Sequence, residues 1–130
     1  MPGHNFKKTM IHIAESIKET EWGLEIVLKE GVIIDDNSII PTIKFIMEEC
    51  QKMNKNKVVV DASKVIRRTS IFKLIEVADT IQYERIKVAF IPPKSADADQ
   101  SNAMETFSYN RGVQLRYFPD MDTALEWLLK

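Results

Sequence analysis

Residues 57–63 read KVVVDAS, and this stretch decides the fold. Three consecutive β-branched residues, Val58 to Val60, follow a polar turn and end on Asp61. A continuous apolar run of this kind is typical of a strand that is buried on both faces, as in a parallel sheet covered by helices. We therefore predict a central strand here, inside a parallel sheet.

Amphipathic helices flank this strand on both sides. Residues 39–53 carry apolar side chains at helical spacing, with Ser38 as the predicted N-cap, and residues 70–83 repeat the pattern. The other predicted elements are strands at 10–14, 22–29, 86–91 and 113–118 and helices at 98–111 and 121–129. The first two strands are expected to form an antiparallel hairpin at one edge of the sheet.

The order of these elements is β-β-α-β-α-β-α-β-α. Crossovers through helices imply parallel strands with right-handed connections, so the sequence predicts an α/β fold. We expect a mostly parallel sheet with an antiparallel N-terminal edge strand. The 130 residues are expected to form one domain, with residues 1–8 flexible.

Composition narrows the classes of function. The formal net charge of −1 argues against general nucleic-acid binding, which requires a basic surface. The chain's one cysteine, Cys50, cannot form an internal disulfide, which fits a reducing compartment. It lies on an apolar helix stripe, so it is either an inert core thiol or, in an electropositive setting, a reactive one. No signal peptide or membrane span is evident, and we expect a cytoplasmic protein.

The end of the chain carries a family resemblance. Residues 110–120 read NRGVQLRYFPD, and residues 124–128 close with ALEWL. This ending, together with the element order over nearly the whole chain, resembles the small bacterial SpoIIAA-like group of the STAS domains, which share the anti-sigma-factor antagonist fold. The resemblance implies a STAS-like sandwich fold more than an activity. Together with the lack of an assembled catalytic set in the sequence, it favours a non-enzymatic regulatory or protein-interaction module.

The same resemblance implies a position for a phosphorylated hydroxyl. Antagonists of that family carry an Asp-Ser or Asp-Thr pair and then a glycine before the second helix, and a partner kinase phosphorylates the hydroxyl. The matching residues here, 68–72, read RTSIF. Ser70 or Thr69 would hold the phospho-acceptor position, but the aspartate and the glycine are missing. We therefore expect no efficient phosphorylation by a kinase of that type.

A second function left open by the sequence is the binding of a small anionic or amphipathic, lipid-like ligand. In parallel α/β sheets ligands bind outside the carboxyl ends of the strands. Arg67 and Arg68 lie there, directly before a helix whose free N–H groups favour anions. The candidate ligand-binding residues are Arg67, Arg68, Thr69, Ser70, Asp61 and Lys94. The alternative is structural: one arginine is solvated and the other pairs with Asp35, Asp36 or Asp61.

Known catalytic arrangements fit poorly. Asp35, Asp36, Asp61 and Lys94 suggest the phospho-acceptor site of response regulators, but the acidic pair lies one strand before the acceptor instead of two. Asp61 is expected to brace the loop that follows it. We found no metal-ligand spacing, glycine-rich phosphate loop or nucleophile elbow, so no catalytic residue, metal or cofactor is predicted. The expected partner is another protein or a small anionic ligand, and a homodimer is left open.

Overall fold

A computed structural model describes residues 13–130. Its main sheet contains β1 (Ala14–Glu19), β2 (Leu24–Leu28), β4 (Lys57–Asp61), β6 (Lys87–Ile91) and β7 (Gln114–Tyr117). The strands lie in the order β1-β2-β4-β6-β7. β1 is antiparallel to β2, and the other neighbours are parallel. The α/β class, the parallel sheet and the antiparallel edge are therefore confirmed, and the valine-rich strand lies in the middle.

Four helices of the described chain cover the sheet: α1 (Ile39–Lys52), α2 (Ile71–Ile81), α3 (Ala98–Asn110) and α4 (Met121–Leu128). Val58 and Val60 belong to a large apolar cluster that includes side chains of α1, α2 and α3. Val59 belongs to a smaller cluster formed with α4. Because successive side chains of a strand point to opposite faces, β4 is buried on both sides, and all three valines are 0% exposed.

Two short strands are additional to the predicted order. β3 (Ile33–Asp35) pairs in parallel with β5 (Ile66–Arg68) as a separate two-stranded sheet, which we call the β3–β5 ribbon. Neither segment is among the strands that the sequence predicts, and Arg67 and Arg68 are expected only to precede a helix. Strands of three residues are too short to show a period-two alternation in sequence. Whether they pair depends on tertiary contacts, which the sequence pattern does not show.

The N-terminal strand extends beyond its predicted end. Within the described residues, the prediction for residues 10–14 is confirmed only at Ala14, since Ile13 lies in a turn and β1 runs from Ala14 to Glu19. Its six residues, AESIKE, have no apolar alternation, and backbone pairing with β2 holds them in the sheet. Residues 1–8, predicted to be flexible, and residues 10–12 of the predicted strand lie outside the described residues.

Apolar spacing within the predicted strands and helices predicts a core, and most of that core is buried. The predicted members that are buried are Val59, Ile43, Met47, Leu74, Val88 and Leu115. The spacing also predicts burial of Phe90 and Leu125, which are only half-buried. Glu49 of α1 is buried in spite of its charge, at 3% exposure, and it forms an ion pair with Lys52 at 3.4 Å. No helix within residues 13–130 is both long and apolar enough to cross a membrane.

Candidate functional site

Arg67 and Arg68 point to opposite faces of the β3–β5 ribbon. Arg67 is paired in register with Ile34, which is buried, and is itself half-buried. Arg68 is exposed to solvent. Strand geometry explains the difference, since neighbouring side chains alternate between faces. The two arginines therefore cannot act together on one ligand in the way their adjacency in sequence suggests.

Arg67 faces an apolar cavity at the carboxyl end of the main sheet. The cavity has a volume of about 50 Å³ and lies between the ribbon, the helices α1 and α2, and the ends of the strands. Most of its lining side chains are aliphatic or aromatic, and Thr42, Arg67 and Tyr117 are the polar exceptions. The Thr42 hydroxyl donates to the Ser38 carbonyl at 2.8 Å, within its own helix. Arg67 is thus the one charged side chain of the lining.

The polar contacts of Arg67 hold it in place without neutralising it. Its Nε donates to Thr69 Oγ1 at 3.2 Å, and the Gln100 amide donates in turn to the Thr69 carbonyl at 2.8 Å. The guanidinium carbon lies 5.5 Å from the centre of the Tyr117 ring. Among residues 13–130, Arg67 forms no ion pair with a carboxylate. Its positive charge therefore remains available at the wall of the cavity.

Tyr117 supplies the second polar group of the cavity wall. Burial raises the pKa of the Tyr117 phenol above its ordinary value, while the charge and hydrogen bonding of Arg67 lower it and the charge of Glu105 raises it further. The net direction is upward, so the phenol stays protonated at neutral pH. Its backbone N–H donates to Glu105 Oε2 at 2.7 Å, which ties β7 to α3. The ring is also stacked on Phe90, with centroids 5.6 Å apart.

A carboxylate side chain of the protein already lies at the N-terminus of α2. Asp36 Oδ1 accepts the backbone N–H of Ser70 at 2.7 Å. Ser70 Oγ accepts the backbone N–H of Lys73 at 3.2 Å, so the serine is the N-cap of the helix. Thr69 is buried, at 8% exposure. This arrangement does not support the expectation that an external ligand places its charge against this helix.

The other predicted site residues have separate local contacts. Asp61 Oδ1 accepts the Ser63 N–H at 3.0 Å, so it braces the following loop as expected. Asp35 Oδ1 accepts the N–H groups of Asn37 and Ser38, each at 3.0 Å. No pairing of these carboxylates with Arg67 or Arg68 is found in the described part of the chain.

Lys94 does not join the candidate site. It is exposed and is not part of the cavity lining, although the groove that it lines shares Pro92, Pro93 and Tyr117 with the cavity wall. The predicted residues that the structure brings together are therefore Arg67 and Thr69. Tyr117 and Gln100 also belong to this group and were not among the predicted site residues. Tyr117 lies at the end of a predicted strand, and this position alone could have indicated that it lies near the site.

Cys50 fits the interpretation as an inert core thiol. Its side chain is 2% exposed. Burial, with a smaller contribution from the charges of Glu49 and Glu84, raises the pKa of the Cys50 thiol to about 12. Among the residues that the structure covers, no group of histidine, cysteine and acidic side chains is arranged to hold a metal ion.

Comparisons with known proteins do not assign a family. No protein-family model matches the chain, and no curated protein matches it. The α/β fold with its five-stranded, mostly parallel sheet is shown by the structure itself. The STAS-like resemblance remains a prediction, and function must be inferred from the geometry around Arg67.

Proposed function

We propose that this protein is a non-enzymatic binding module for a small amphipathic anion. The charged group of the ligand pairs with Arg67, and its hydrocarbon part occupies the neighbouring cavity. The observation that supports this is the position of Arg67 as the one charged side chain in a mainly apolar lining, without a carboxylate partner among residues 13–130. A partly buried charge is costly when unpaired, and a ligand anion offsets that cost.

The chemistry of Arg67 favours a carboxylate or phosphate head group. A guanidinium presents several planar donors, which suit the paired oxygens of such groups. The protonated Tyr117 phenol adds a neutral donor beside it. The other lining side chains are mainly aliphatic and aromatic. A purely hydrophilic ion would make no apolar contact with them, whereas the hydrocarbon part of a short-chain carboxylate would bury their apolar surface.

The size of the cavity limits the hydrocarbon part. At about 50 Å³ it is far smaller than the roughly 150 Å³ of an engineered apolar cavity that binds benzene. Only a short chain fits while the cavity is closed. The β3–β5 ribbon forms part of the wall, and a pair of three-residue strands is a marginal element that opens at low cost. Longer chains are therefore expected to enter by displacing the ribbon.

A chain-length series tests the proposal. We expect butyrate, hexanoate and octanoate to raise the melting temperature progressively, because a ligand that binds only the folded state stabilises it. Acetate should have little effect. Arg67→Gln should abolish the shift, and Arg68→Gln, on the opposite face of the same strand, should retain it. Equal shifts in both variants, or no dependence on chain length, would refute the assignment.

We also propose, as a second function, that the protein is a cytoplasmic STAS-like regulatory module that contacts another protein. Exposed apolar side chains support it. Ile33 and Ile66, which are neighbours across the ribbon, are 46% and 42% exposed, and Phe72 in the first turn of α2 is 84% exposed. A contiguous exposed apolar surface is typical of interaction sites, and the paired Ile33 and Ile66 form such a surface on the ribbon.

Cross-linking in native cells, followed by mass spectrometry, tests this second function. We expect cross-links to one partner that are lost in Ile66→Ser and Phe72→Ser but retained in Arg67→Gln. A partner that is retained in all three variants would place the contact elsewhere. Cross-links to this chain itself would indicate a homodimer instead of a heterologous complex.

A further inference from the structure

A second concave surface lies at the other end of the main sheet, where β4, β6 and β7 begin. It is a groove of about 670 Å³. Four cationic side chains line it: Lys57, Arg85, Lys87 and Lys130. Glu84 is the one lining residue with a carboxylate side chain, and its Oε2 accepts a hydrogen bond from Gln51 Nε2 at 3.2 Å. We call this surface the basic groove.

The register of the sheet forces two of these charges together. Lys57 and Lys87 are direct partners on the neighbouring parallel strands β4 and β6, so their side chains project from the same face. Like charges directly opposite one another in a sheet are destabilising. Burial lowers the pKa of Lys87, and the charges of Lys57 and Lys130 lower it further, which is consistent with this crowding.

Only one of the four cations has a clear structural role. Lys87 Nζ donates to the carbonyls of Trp127 and Leu128 at 2.7 and 3.3 Å, at the carboxyl end of α4, and lies 4.5 Å from the centre of the Trp127 ring. Within residues 13–130, Lys57 and Arg85 form no ion pair with a carboxylate. Among residues 13–130, the repulsion between Lys57 and Lys87 is therefore not offset by an ion pair with a carboxylate side chain.

The groove also concentrates charge of one sign on a chain that is slightly acidic overall. The formal net charge of the protein is −1, yet the groove combines four cations with one carboxylate. Walls of one sign around a concave surface focus the field and attract oppositely charged ligands. The net charge of the whole sequence gives no indication of this local excess of positive charge.

We propose that the basic groove binds a small anion that carries at least two phosphate groups, of the nucleoside diphosphate class. Arg85 and Lys57 supply the donors for the phosphates, with Lys130 beside them. Tyr83, which is 85% exposed and lines the same groove, offers a ring on which a base stacks. The volume lies in the range of small-molecule sites. This site is independent of the cavity at Arg67.

Calorimetric titration with ADP and with pyrophosphate tests the proposal on the full chain. We expect both to bind the wild type, and the Lys57→Gln/Arg85→Gln variant to bind each about tenfold more weakly or worse. Lys44→Gln/Lys64→Gln removes two exposed lysines outside the groove and should bind like the wild type. Tyr83→Ala should weaken ADP binding and leave pyrophosphate binding unchanged.

Three results would overturn the site. In the first, the wild type binds neither anion, and in the second, the Lys57→Gln/Arg85→Gln variant binds both with the affinity of the wild type. In the third, the Lys44→Gln/Lys64→Gln control loses as much affinity as the groove variant. A short single-stranded oligonucleotide that binds when neither small anion does would identify a nucleic-acid surface instead. An unchanged affinity of Tyr83→Ala for ADP would overturn the assignment of the base to that ring. Thermal melts of each variant confirm that it is folded.

Discussion

An Asp36 carboxylate oxygen accepts the backbone N–H of Ser70 at 2.7 Å, although the two residues are 34 positions apart in sequence. This bond joins the segment after β3 to the residue that caps α2. It places the protein's own negative charge where the helix dipole favours one. A ligand anion is therefore expected at Arg67, on the inner face of the ribbon, and not at the helix start.

The cap of α2 should have a measurable effect on stability. Ser70→Ala removes the acceptor for the Lys73 N–H, and loss of such a cap typically lowers the unfolding free energy by about 1 kcal/mol. Ser95→Ala, in an exposed loop, should change it by less than about 0.5 kcal/mol. Urea denaturation measures both, and equal midpoints for Ser70→Ala and the wild type would contradict the assignment of this cap.

Local patterns in the sequence were sufficient to predict the main architecture. The run Val58–Val60 identified the middle strand, because three β-branched residues in sequence suit burial on both faces. Asp120 directly precedes the predicted helix at 121–129, where aspartate is a preferred N-cap, and its side chain accepts the Thr123 N–H at 2.9 Å. These features depend on neighbouring residues alone, so a single sequence is enough to find them.

The ribbon and the site depend on contacts that no local pattern encodes. Ile33 and Ile66 pair across 33 positions of the chain, in strands too short to show alternation. Because the sequence does not reveal β5, it predicts that Arg67 and Arg68 form one positive patch. In the strand, their side chains alternate, so that Arg67 points inward and Arg68 points outward. Tyr117 likewise reaches Arg67 only through the order of the strands in the sheet.

Leu74 should be essential to the core and also to the shape of the cavity. It is 1% exposed and lines the cavity, so Leu74→Ala should lower the unfolding free energy by about 2–5 kcal/mol. Phe72→Ala, in the same helix but 84% exposed, should lower it by less than about 0.5 kcal/mol. Equal melting temperatures for Leu74→Ala and the wild type would show that α2 does not pack as described.

Asp120 should contribute stability that depends on pH. Hydrogen bonds from the backbone and side chain of Thr123 lower the pKa of the Asp120 carboxyl below its usual value of 3.8. A depressed folded-state pKa stabilises the protein above the unfolded-state value, and this contribution is lost as the pH falls through the folded-state value. We therefore expect Asp120→Asn to melt below the wild type at neutral pH. The difference should begin to shrink as the pH falls past about 3.8 and disappear below the lower pKa of the folded state.

A matched control uses another acidic residue of the same helix. Glu126→Gln, in an exposed part of α4, should give a difference from the wild type that does not follow this pH course. A melting difference for Asp120→Asn that persists unchanged to the acid limit would show that the charge of the carboxylate is not the cause. Thermal melts across a pH series measure both variants.

Cys50 should not react while the protein is folded. With its pKa raised to about 12, the thiol is almost entirely protonated near neutral pH, and the thiolate is the reactive form. We expect negligible labelling by a disulfide reagent at pH 8 and complete labelling after denaturation. Rapid labelling of the native protein would contradict the burial of this side chain.

The central claim is that a short-chain anion lies between Arg67 and the apolar cavity, and a methyl-resolved NMR titration with hexanoate tests it most directly. We predict that the methyl signals of the cavity lining shift or broaden, among them those of Ile34, Val65 and Met104, and that Arg67→Gln abolishes these changes while Arg68→Gln retains them. Changes confined to Ile33 and Ile66, on the outer face of the ribbon, or changes that are equal in both variants, would contradict the account.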